Sequence, residues 1–150
     1  MVALAVALVS TALVTAGVHR VHGGDWTGPF LVGERHGGLA EWPIPVRIHE
    51  SLDGYDGQYF LALALDPFLR TPLVAVLDDA EYRAHRITWS LAAWLLGAGD
   101  ASLRVFFLYL LMLVGVSTTG FLLADWAVRR GASAWWGFAG ALGLGSLVCF

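Results

Sequence analysis

The sequence predicts an all-α membrane protein, a multi-pass helical bundle with a large extracytoplasmic loop containing short helices. Three observations carry this. Of 150 residues, 57% are hydrophobic and 14% charged, against roughly 25% charged in an ordinary soluble domain. Mean hydropathy is +0.66. The charges are also segregated: residues 2–18, 105–124 and 132–150 carry none, while ten of the twelve acids fall between Asp25 and Glu81.

Residues 105–124 form an uncharged run bracketed by Arg104 and Asp125, with Trp126 at its end. At ~1.5 Å per residue such a run spans about 30 Å, the thickness of a hydrocarbon core. With flanking residues, a transmembrane helix over about 104–126 follows. Residues 2–18 make a shorter apolar run ending at His19-Arg20. A signal peptide competes with an uncleaved helix here. The missing basic residue ahead of the run and the weak small-residue pattern near Thr15 and Gly17 favour the helix. A third run covers 132–150, with Gly137, Ala141 and Gly145 on one helical face, small enough for close packing. It stops at Phe150 without a polar flank, so the chain is expected to be the front part of a longer protein. Residues 87–99 are apolar for too short a stretch to cross as a helix and are read as re-entrant or interfacial. The single cysteine, Cys149, lies in an apolar run and defines no redox compartment.

Arg129-Arg130 marks the loop near 127–131 as cytoplasmic under the positive-inside rule. With 87–99 not crossing, helix 2–18 runs outward, helix 104–126 runs inward, and loop 19–86 lies outside the cytoplasm. Were 87–99 a true span, the loop would change sides.

Within that loop, residues 23–57 are rich in glycine and proline and read as irregular, with one short strand at Pro45–Ile48. Gly57–Leu65 is a predicted helix, with Asp56 as its N-cap and Asp66-Pro67 as its stop. A second helix begins over Asp78–Ala84 and continues through Arg86 into 87–99.

The candidate chemistry sits on Asp53-Gly-Tyr-Asp-Gly-Gln-Tyr-Phe60. Asp-Gly pairs serve turns and caps, and that alone accounts for Asp53 well. Asp56 differs in context: a carboxylate on a rigid helix start, beside Tyr55, Gln58 and Tyr59, suits a general base. Arg83 and Arg86, i and i+3, share a helical face with Tyr82 and His85 nearby. Snorkelling to headgroups explains them, as does a clamp on a phosphate, whose paired oxygens match the guanidinium fork. His19, His22 and Asp25, and likewise His49, Glu50 and Asp53, lack any specific metal-ligand spacing, and no metal site is assigned. No basic patch suggests nucleic acid.

One apolar helix, then the loop with Gly54-Tyr-Asp-Gly-Gln-Tyr-Phe60 and Asp66-Pro67, then Tyr82-Arg-Ala-His-Arg-Ile87 leading into a short apolar helix, resembles polytopic bacterial glycosyltransferases of the C-type membrane fold. These use polyprenyl-phosphate-linked sugars and include mannosyltransferases and arabinosyltransferases. The resemblance covers roughly residues 50–130. It implies the bacterial plasma (inner) membrane, a lipid bilayer and a polyprenyl-linked sugar donor as partners, and an acceptor hydroxyl on the extracytoplasmic side. By it Asp56 takes the catalytic position, Tyr55, Gln58 and Tyr59 the surrounding motif, and Arg83 and Arg86 the stretch near the lipid phosphate; Asp53 joins them as a substrate-binding candidate. A single displacement then inverts the anomeric carbon. The family has many more helices than this chain, and the remaining helices of a longer chain are expected. The residues imply no cofactor, and a divalent cation is left open. The rival class is a non-catalytic integral membrane subunit or assembly partner. A transporter fragment is disfavoured, because 2–18 and 105–124 hold no ionisable group.

Overall fold

The structure, a computed structural model, describes residues 2–38, 41–50, 53–137 and 139–140. The chain is mostly helical, and two of its helices are long and apolar enough to cross a membrane: α1, Val2–His22, and α6, Ala101–Arg129. Contacts divide it into one unit made of Met1–Gly24 with Met112–Phe150 and another made of Asp25–Leu111.

In the first unit α1 packs on the later part of α6. Val6 clusters with Ala124 and Ala134, and the Thr11 hydroxyl hydrogen-bonds the Ser117 hydroxyl. Residue numbers rise along one helix as they fall along the other, so the two run antiparallel. Small side chains allow this approach. A Cβ on Gly137 would lie 2.5 Å from Ala124 Cβ and from the Gly120 carbonyl, so the segment after α6 also sits close against it. Ala141, Gly145, Cys149 and most of the expected third span lie outside the described residues. The outer faces remain apolar, with Leu4, Leu8 and Leu13 exposed on α1 and Val114, Phe121 and Leu122 on α6.

Both long helices outrun their uncharged cores. α1 passes Val18 to include His19, Arg20 and His22, since charge does not end a helix. Gly23 and Gly24 do, at φ 65° and 85°. α6 starts at Ala101, where the Asp100 carboxylate accepts the Leu103 N–H (2.9 Å). It ends past an Arg129–Asp125 ion pair (2.7 Å), with Gly131 at φ 74°.

The second unit is built around α3, Gly57–Leu65, which runs between its predicted limits. Leu61, Ala62, Leu63 and Ala64 are buried, against Phe30 and Val32 on one side and the 3-10 turn Pro72–Val76 on another. Asp66-Pro67 ends the helix as the punctuation predicts. Burial pushes the Asp66 carboxyl up, but the Thr71 N–H (2.6 Å) and hydroxyl (2.9 Å) donate to it, and the net effect holds it below its ordinary value. The last carbonyl of α3, on Leu65, accepts from Arg104 Nη1 (2.8 Å). The residue that borders the uncharged core of α6 thus also serves as a cationic C-cap.

Three local expectations are corrected. The short strand is β2, Ile48–His49, rather than Pro45–Ile48, and it pairs in parallel with β1, Val32–Gly33. Proline at 45 lacks the N–H a ladder needs. The helix beginning at Asp78 does not run into the next one. It divides into α4, Ala80–Ala84, and α5, Thr88–Leu96. Between them the Arg86 and Ile87 N–H groups donate three residues back, to Arg83 and Ala84, a tightened end turn. The break lets α5 lie along α3, where the Ser90 hydroxyl donates to the Phe60 carbonyl (2.9 Å). At nine residues, α5 is about 14 Å long, far short of a bilayer core. The third correction, the cap of α3, belongs to the site.

Candidate functional site

The Asp53–Phe60 motif folds back on the segment Phe30–Gly33, and its glycines make this approach. Gly54 has φ 64°, and a Cβ there would meet Gln58 Oε1 at 2.5 Å and Gly33 N and Leu31 O at 2.6 Å. A Cβ on Gly57 would lie 2.8 Å from the Phe30 carbonyl. The Tyr55 N–H donates to the Leu31 carbonyl (3.2 Å). Gln58 closes the turn from inside. Its Nε2 donates to the Asp53 carbonyl (2.7 Å), its Oε1 accepts from Gly33 N–H (3.2 Å), and the side chain is fully buried. Gln58 is thus occupied as a backbone latch and does not face outward to a substrate.

With Gln58 turned in, Tyr55 and Asp56 are turned out, both more than half exposed. Asp56 occupies the N-cap position, but its carboxylate caps nothing. The reason is its backbone, already helical at φ −52°, ψ −26°, whereas a capping side chain needs extended geometry. The carboxylate instead meets Arg83, Oδ1 to Nη1 3.2 Å.

Arg83 is the centre of the cluster. Its Nε and Nη2 donate to the two oxygens of Asp78, each at 2.9 Å. Its guanidinium carbon lies 4.1 Å from the Tyr59 ring centre and 5.5 Å from that of Tyr82. Only 13% of the side chain is exposed. A bidentate, charge-assisted contact on one edge and an aromatic face below hold it in one orientation. The hydrogen bond from Arg83, opposed by partial burial and helped by the Arg83 charge, lowers the Asp78 carboxyl to about 2. The Asp78 contact in turn raises the Arg83 guanidinium above its ordinary value. Burial first, then the Asp78 charge, raises the Tyr59 phenol, so it stays protonated at neutral pH.

The remaining predicted residues stand apart. Asp53 pairs with Arg35 at 3.1 Å in an open surface contact, so Asp53 and Asp56 do not form one carboxylate pair. Arg86 donates to the Tyr82 hydroxyl and lies 4.8 Å from its ring centre. It is exposed, and among the described residues no carboxylate reaches it within salt-bridge distance. Sequence reasoning missed Asp78 as a partner. Its signal was the five-residue step to Arg83 across the α4 cap, where Asp79 accepts the Tyr82 N–H (3.0 Å).

The cluster therefore offers an outward carboxylate fixed by a shielded arginine, with an exposed arginine and tyrosine close along the chain. No group of three or more metal-ligating side chains occurs among the described residues. Comparison with protein-family models, curated proteins and solved structures finds no match to this chain.

A pH dependence follows. The Asp78 carboxyl is depressed from 3.8 to about 2 on folding. Its pairing contributes stability fully above the unfolded value and loses it as pH falls toward the folded one. The thermal midpoint of the detergent-solubilised chain is expected to drop between about pH 4 and pH 2, and to drop less over that window in D78N. Equal acid sensitivity in both would exclude Asp78 as a contributor.

Proposed function

We propose that this chain belongs to a membrane glycosyltransferase that moves a sugar from a polyprenyl-phosphate-linked donor to an acceptor hydroxyl on the extracytoplasmic side. The observation that carries this is the outward Asp56 carboxylate, aimed by Arg83 rather than spent on its own helix. Asp56 takes the proton from the acceptor hydroxyl as that oxygen bonds to the anomeric carbon and the bond to the phosphate oxygen breaks. Polyprenyl phosphate leaves.

Arg83 is committed to two carboxylates, so exposed Arg86 receives the departing phosphate and Tyr82 holds it. The resemblance to C-type enzymes, the two apolar helices α1 and α6 and the short α5 all support this reading. An α5 too short to cross and Arg129-Arg130 under the positive-inside rule support an extracytoplasmic loop 19–86 at the bacterial inner membrane. The donor tail stays in lipid while its head reaches the polar unit.

The test is transfer of labelled sugar from a polyprenyl phosphate in proteoliposomes. R86A is expected to raise the donor KM roughly tenfold or more and to leave the acceptor KM near wild type. Equal effects on both would count against the phosphate role. A second reading, a non-catalytic membrane subunit, is favoured by one fact: Gln58 and Arg83 are consumed by contacts within the chain. Absence of transfer by the full-length protein would support it.

A further inference from the structure

We propose that Asp78 is a positioning residue for the base, acting through Arg83; the inference rests on the transferase reading above. Nothing in the motif points to Asp78, yet it makes more of the Arg83 geometry than Asp56 does. It holds two of the guanidinium nitrogens, while Asp56 holds the third. It is itself steadied by the Asp79 N–H, which donates to Asp78 Oδ1 at 2.8 Å.

A guanidinium is planar, so fixing one edge fixes the direction of the remaining nitrogen. Asp78 fixes the Nε–Nη2 edge, Tyr59 covers a face, and Nη1 is left 3.2 Å from Asp56 Oδ1 as an ion pair. Asp56 makes no cap bond to α3 that would hold its carboxylate independently. Its aim is therefore inherited from Arg83, and through Arg83 from Asp78.

Asp78 and Arg83 belong to one local segment, five residues apart, so neutralising Asp78 does not cut a tie between α3 and α4. The charged and titratable groups around Arg83 among the described residues are Asp56 and Tyr59 at α3 and Asp78 and Tyr82 at α4, with the His36 ring beyond Tyr59.

The test uses the full chain in lipid nanodiscs, with two readouts. The first is solvent exchange of the Arg83 Nε–H by NMR, assigned by its loss in R83K. It is expected to be slow in wild type and in D56N, and fast in D78N. The second is sugar transfer from a labelled polyprenyl phosphate. D78N is expected to lower kcat roughly tenfold to a hundredfold with little change in donor KM, the pattern of a misplaced group rather than lost binding. D78E, which keeps the charge, recovers part of it. A slowly exchanging Nε–H in D78N overturns the proposal. So does wild-type kcat in D78N when D56N is inactive. If wild type itself transfers no sugar, the transferase reading falls, while the exchange readout still decides whether Asp78 holds Arg83.

Discussion

Replacing Asp56 by asparagine is expected to lower sugar transfer by roughly a hundredfold to ten-thousandfold, the range a general base supplies. Asparagine keeps the shape and removes the negative charge that accepts the proton. The fold should tolerate it. The side chain is 59% exposed and caps no helix, and a single ion pair at such a site contributes on the order of 1 kcal/mol or less. Arg83 keeps both bonds to Asp78. Expression, membrane insertion and thermal midpoint of D56N should therefore match wild type while the labelled product disappears. Product at the wild-type rate would remove Asp56 as the base.

The largest stability effect is expected at Gly54. In G54A the new Cβ adopts a left-handed conformation and collides with backbone at Leu31 and Gly33 and with the Gln58 latch. Left-handed backbone costs about 1–2 kcal/mol for a residue with a Cβ, and overpacking of this kind adds about 1–3 kcal/mol. Gly23 isolates the two contributions. Its φ is 65°, near that of Gly54, but no atom lies within 4 Å of its would-be Cβ. G23A should show the smaller, backbone part alone. Thermal unfolding followed by circular dichroism measures both. Equal shifts in G23A and G54A would mean that the Asp53–Phe60 turn does not close on Leu31–Gly33.

The contrast between these two sites shows what could be read from residue order. The end of helix α3 was legible because Asp66-Pro67 is local punctuation that stays valid in any tertiary setting, whereas the capping role read for Asp56 was not met. The apolar runs of α1 and α6 were legible for the same reason, though their ends were not, since a helix stops at Gly23 or Gly131 and not where charge begins. Asp56 and Tyr55 were legible as polar groups of the motif, though not as the ones that face outward. Gln58 was not legible as a latch, because its partners, Gly33 and the Asp53 carbonyl, are brought to it by a turn that only the fold creates. The pairing of β1 with β2 was hidden likewise, being two residues long and bridging distant segments. Arg83 is legible as a cation, but its role depends on Asp78, which the α4 cap brings beside it. A basic residue near a membrane suggests phosphate only until a carboxylate closer in space claims it.

The account stands on Asp56 facing outward at the extracytoplasmic surface. Tyr55, its exposed neighbour, offers a direct probe. With Cys149 replaced by serine, Y55C should react with a membrane-impermeant maleimide in intact cells. Labelling that appears only after the inner membrane is permeabilised would put the carboxylate on the cytoplasmic side and contradict the account.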